Sequence, residues 1–135
     1  MKQRLIIKIL SILVIVSVSV AGCSGFKRNS ITFYKTYDVS TASVLGKLET
    51  VPASTQVYVE IISNKPFNAE TVGFVITTER SGTKLVISGA NIKVDPTDKK
   101  VVIPLSMSEQ GKYTIDVYVD KPENVMISEK IIVEQ

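Results

Sequence analysis

The 135-residue chain has no histidine, no tryptophan and one cysteine. Without histidine there is no Ser-His-Asp triad. One cysteine with no histidine supplies no zinc site of the usual composition. It also allows no intramolecular disulfide, so stability has to come from an ordinary core. No segment carries a sustained helical period. No glycine-rich phosphate loop is present; Ser81-Gly82 and Ser88-Gly89 read as ordinary turn pairs. A concentrated basic surface of the kind nucleic acid requires is missing as well.

What is present begins with MKQRLIIKILSILVIVSVSVAG. Lys2, Arg4 and Lys8 form a basic head, Ile9 to Val20 is apolar apart from serines, and Ala21 and Gly22 are small. Basic head, short apolar middle and small-residue exit are the parts of a secretory signal peptide. The apolar run falls short of the roughly 20 residues that span a bilayer. The single cysteine, Cys23, follows directly, and Val20-Ala21-Gly22-Cys23 resembles the lipobox of bacterial lipoproteins. That resemblance implies cleavage before Cys23 and a covalent lipid, such as palmitate, on it. The expected organisation is a signal peptide over 1–22, a lipidated tether over 23–30 and one folded domain over 31–135. One acyl chain holds weakly and two or three hold firmly, at about 0.8 kcal/mol per buried methylene. Seven extended tether residues reach at most about 25 Å, which keeps the domain close to its membrane. Of the 16 basic residues, Lys2, Arg4 and Lys8 leave with the signal, and the remaining 13 balance 13 acidic ones.

From Ile31 the chain is rich in Val, Ile, Thr and Tyr, in short runs parted by turn residues. Val57, Val59 and Ile61 alternate onto one face of a strand, and Val72, Phe74 and Ile76 do the same in the next. Arg80-Ser81-Gly82-Thr83 is a hairpin signal. KLVIS (84–88) follows, Gly89 reads as a bend, and ANIKV carries on to Val94. Asp95-Pro96-Thr97-Asp98 is a turn. Three further strand runs end the chain, while ASVLGKL (42–48) fits either an edge strand or a helical turn. Seven or eight short strands at near-regular spacing predict an antiparallel β-sandwich.

One stretch resembles immunoglobulin-like domains. In IPLSMSEQGKYTI, Ile103, Leu105 and Met107 alternate, Glu109 holds an acidic position, and Gly111 and Tyr113 match a Gly-x-Tyr pattern. Ile115 stands where that family has a cysteine. The resemblance implies an immunoglobulin-like sandwich with a tyrosine corner at Tyr113. The family's disulfide and core tryptophan are absent, and a fibronectin-III-like topology stays open.

These features predict a lipid-anchored envelope protein outside the cytoplasm, on the cell membrane or outer membrane. It is expected to bind a protein partner of the envelope or to serve an assembly, with no enzymatic activity, no metal and no cofactor beyond its lipid. Asp95 and Asp98 supply only two carboxylates, fewer oxygens than calcium takes, and suit a capped turn better. The alternative is a glycan or small-ligand module. Strand alternation turns Tyr34, Tyr58 and Tyr118 outward, making them the candidate binding surface, although outward tyrosines also serve as cross-strand pairs. A sheet edge taking up a partner's strand is the other candidate.

Overall fold

The computed structural model describes residues 28–135. The leader, the motif Val20-Ala21-Gly22 and Cys23 lie outside the described residues. Among the described residues, no helix is long and apolar enough to cross a membrane.

Nine strands form two sheets: β1 (Ser30–Asp38), β2 (Ser43–Leu48), β3 (Val51–Pro52), β4 (Gln56–Ile62), β5 (Thr71–Arg80), β6 (Thr83–Lys93), β7 (Lys100–Ser106), β8 (Gly111–Val119) and β9 (Val125–Glu134). The four-stranded sheet runs β2-β1-β4-β7 and the five-stranded sheet β3-β9-β8-β5-β6. All pairings are antiparallel except the short β3–β9 contact. The all-β sandwich expected from the sequence is therefore present, with nine strands in place of seven or eight. The ambiguous 42–48 stretch supplies β2, where Gly46 takes a positive φ of 76°. The two residues of β3 are too few to give a pattern in sequence.

The core comes from alternation. Val57, Val59 and Ile61 are at most 1 % exposed and face Val72, Ile76, Ile115 and Val117, all fully buried, across the sandwich. A side-chain period of two puts every such residue on one face, and two apolar faces close on each other. Phe67 and Val94, from connecting segments, join the same core. The fold begins one residue earlier than the sequence suggests. Ser30 pairs with Ile62 in β1–β4, and Asn29 accepts from the Asn64 backbone N–H at 2.9 Å and donates to the Met126 carbonyl at 3.1 Å.

Gly89 does not bend the chain. KLVIS and ANIKV run on as one strand, β6, interrupted by a bulge opposite Ile76/Thr77 that leaves Ile87 outside the register. Glycine is required at 89 by close approach: a Cβ there would stand 2.9 Å from the Phe74 carbonyl oxygen.

Candidate functional site

Sheet edges carry unpaired backbone N–H and C=O groups, and each of the four here is treated differently. β2 is short and contains Gly46 and Lys47. β3 has two residues. β7 carries Pro104 and is largely buried. Shortness and proline discourage a further strand from pairing. The fourth edge, β6, is eleven residues long, and ten of them are exposed. It packs on β5 and makes no comparable contact with the other sheet, so from Thr83 to Asn91 it overhangs the sandwich, and Ile92 is its one residue packed against the core.

The β5–β6 hairpin is fixed locally. Ser81 and Gly82 take positive φ values of 52° and 75°, which a two-residue turn of the twist-compatible kind requires. Arg80 holds the hairpin end to Glu109 at 2.8 Å, and the Thr78 hydroxyl donates to the Lys112 carbonyl at 2.9 Å. On this braced strand Leu85, Val86 and Ile87 are exposed, Val86 at 71 %. Three consecutive apolar residues put side chains on both faces of an uncovered strand. The charges between Arg80 and Val94 are Lys84 and Lys93, with no carboxylate among them. Lys84 lies 3.9 Å from Asp116.

The tyrosines divide. Tyr34 and Tyr58 are direct cross-strand partners on the outer face of the four-stranded sheet. Both are half-buried. Tyr37, which the outward-facing rule does not select, joins them with its ring centroid 5.8 Å from that of Tyr58. Burial raises the Tyr34 and Tyr37 hydroxyls above their ordinary values, with the charges of Glu60 and Asp38 respectively adding to it. The two rings in contact are tilted by 36°, and the Gln56 amide donates to the Tyr58 hydroxyl at 3.1 Å. Beside them Glu60, 7 % exposed, holds Lys100 at 3.0 Å.

Tyr118 corrects the sequence expectation. It is 6 % exposed and offers no binding surface. It stands directly opposite Gly73 on the neighbouring strand, and a Cβ at 73 would come within 2.2 Å of its ring. The ring lies over the space that glycine leaves, and its hydroxyl donates to Asn91 Oδ1 at 2.8 Å. Tyr113 sits at the start of β8, 6 % exposed, and donates to the Glu109 carbonyl at 2.9 Å.

Asp95 and Asp98 close their own turn. Asp95 Oδ1 accepts from the Thr97 N–H and hydroxyl, and Asp98 Oδ2 accepts from the Asp95 N–H. Among the described residues, no group of three or more His, Cys, Asp or Glu is placed to hold a metal ion. A cleft of about 200 Å³ lies between β1–β2 and β9, lined in part by Ile31, Phe33, Leu48, Val51 and Ile131. That is below the roughly 300–1,000 Å³ of small-molecule sites.

The apolar triplet at 85–87 is the feature that sequence reasoning passed over. Its signal is a break in alternation: a half-buried strand reads apolar-polar, whereas KLVIS places three apolar residues in a row.

No protein-family model and no curated protein matches this chain. Among solved structures, it is similar to a superoxide reductase (neelaredoxin) from Ignicoccus hospitalis at 12 % identity and a TM-score of 0.46, over 79 % of this chain and 80 % of that one. A glutamate-to-alanine variant of that protein matches at 15 % identity and a TM-score of 0.42, over 64 % and 75 %. The expectations of no enzymatic activity and no cofactor are corrected on this finding, since the similar chains are enzymes by name. At these scores the likeness transfers no activity, and no residue role, to this chain.

Proposed function

We propose that this protein is a lipid-anchored component of a bacterial envelope, whose sandwich engages a protein partner by taking up a strand along β6. The carrying observation is the exposed edge of β6, with Leu85, Val86 and Ile87 uncovered. Strand addition draws affinity from the backbone ladder and specificity from alternate side chains, and this edge offers both. The anchoring half of the reading rests on Val20-Ala21-Gly22-Cys23 at the end of the leader. The close balance of charge after the leader speaks against nucleic acid as the partner.

Within this reading the sandwich is immunoglobulin-like. The strand order, the short parallel β3–β9 contact and the Tyr113–Glu109 corner support that assignment. A glycan site at Tyr34 and Tyr58 has less support, because those rings pack against neighbours at a tilt and one hydroxyl is already engaged.

The test is crosslinking in intact cells, followed by solubilisation, recovery and mass spectrometry. A Val86→Lys chain should lose the crosslinked partner while remaining folded, since that side chain is solvent-facing. Retention of the same partner at the same yield would rule out β6 as the docking edge. Separately, Cys23→Ala should abolish fatty-acid labelling and accumulate uncut precursor; continued labelling would refute the anchor.

A further inference from the structure

We infer that the strand β6 takes up is β6 of a second copy of this chain, antiparallel and related by a two-fold axis. This inference rests on the reading of β6 as a docking edge. The argument comes from faces and charges along the strand.

The core side chains Val72, Phe74 and Ile76 define the inner face of β5. Gly73, Val75 and Thr77 therefore mark its outer face, and cross-strand partners share a face. Asn91 pairs with Gly73, Gly89 with Val75 and Val86 with Thr77, so all three lie on the outer side of β6. Lys84 lies there too, reaching Asp116, which pairs with Val75. The bulge at Ile87 thus switches the alternation: outer residues are even-numbered before it and odd-numbered after it.

Two copies of β6 can pair only in registers that set outer residues against outer residues. The registers that also pair most of the strand set Lys84 opposite Gly89, Asn91 or Lys93 of the second copy. Opposite Lys93, the two-fold axis brings Lys84 and Lys93 face to face twice. Like charges directly opposite destabilise a strand pair. Opposite Gly89, Val86 meets the bulged Ile87, and Asn91 to Lys93 run past Thr83 of the second copy with nothing to pair, because the residues before Thr83 are the hairpin turn and β5. Of the three, the register with Lys84 opposite Asn91 keeps the lysines apart and also pairs Thr83 to Ile92 throughout.

That register is also complementary in size. It sets Leu85 against Ala90, Val86 against Gly89 and Ile87 against Ser88, each large side chain against a small one. The axis passes between Ile87 and Ser88, at the bulge. The same patch serves both copies, so the contact closes at two and does not propagate. It would join the two five-stranded sheets into one and give each residue of the apolar triplet a side-chain neighbour from the other copy. The near-balance of charge after the leader leaves little long-range repulsion to oppose it.

The experiment uses two differently tagged full-length chains co-expressed in cells, one Leu85→Cys and the other Ala90→Cys, under mild oxidation. A disulfide-linked heterodimer is expected, with a much lower yield from Leu85→Cys paired with Ile92→Cys, which reports the register that opposes lysines. Light scattering on the detergent-solubilised wild-type chain should give a dimer that Val86→Lys converts to monomer. A monomeric wild-type chain, equal linkage of both cysteine pairs, or a dimer indifferent to Val86→Lys would each overturn the inference. If self-linkage is absent yet Val86→Lys still removes a different crosslinked protein, self-pairing is refuted and β6 stands as a docking edge. If Val86→Lys changes neither, the docking edge itself is refuted.

Discussion

Gly73→Ala places one methyl group where a ring already lies. The added Cβ would stand 2.2 Å from Cζ of Tyr118, and the backbone on either side is held in the β5–β8 ladder. The ring has to leave. Forcing an extra carbon into a packed site costs about 1–3 kcal/mol. Displacing the ring also breaks the Tyr118–Asn91 hydrogen bond, worth about 1 kcal/mol. The combined loss is about 2–4 kcal/mol. For a domain near 100 residues, 1 kcal/mol moves Tm by about 4 °C or more, so Tm should fall by about 8–16 °C. Urea unfolding followed by circular dichroism measures the loss directly. The decisive comparison is the same substitution in a Tyr118→Ala background, where the space is empty. There Gly73→Ala should be neutral or stabilising by about 0.5–1 kcal/mol, because glycine in a strand carries an entropic penalty. Equal costs in both backgrounds, within the roughly 0.5 kcal/mol expected of uncoupled sites, would refute the argument that the ring depends on this glycine.

Two further outcomes follow from the same structure. Tyr113→Phe keeps the buried ring and removes the bond to the Glu109 carbonyl, so it should cost about 1 kcal/mol in urea unfolding with little change in the slope. Burial pushes the Asp98 carboxyl above its ordinary value, with the Asp95 charge adding and the Asp95 N–H bond opposing. The folded state then holds that proton more tightly than the unfolded state. The Asp98 contribution to stability is therefore full below the ordinary carboxylate range and falls as pH rises through the raised folded value. Asp98→Asn keeps an acceptor for the Asp95 N–H, so unfolding measured across acid to neutral pH should lose that component and gain stability at neutral pH. An unchanged pH profile would refute it.

The strands were legible because alternation is a local property. Val57, Val59 and Ile61 face inward for a reason contained in four or five consecutive residues, and so do Val72, Phe74 and Ile76. The hairpin at Ser81-Gly82 and the turn from Asp95 to Asp98 are equally local, since their side chains and φ preferences select the bend. Tyr113 was legible through its Gly-x-Tyr context. Tyr118 was not. Alternation gave its outward direction, but its burial depends on a glycine in another strand, which no window around residue 118 contains. Tyr37 likewise joined Tyr58 only when β1 and β4 came together. The free edge is the clearest case. KLVISGANIK shows that its residues form a strand, yet lying last in a sheet is a property of strand order, fixed by which neighbours β5 and β8 accept. Sequence determined the elements and the inward faces through short-range sterics and periodicity. Tertiary structure alone decided that β6 keeps one side unpaired, because pairing is a long-range choice made by the whole sheet.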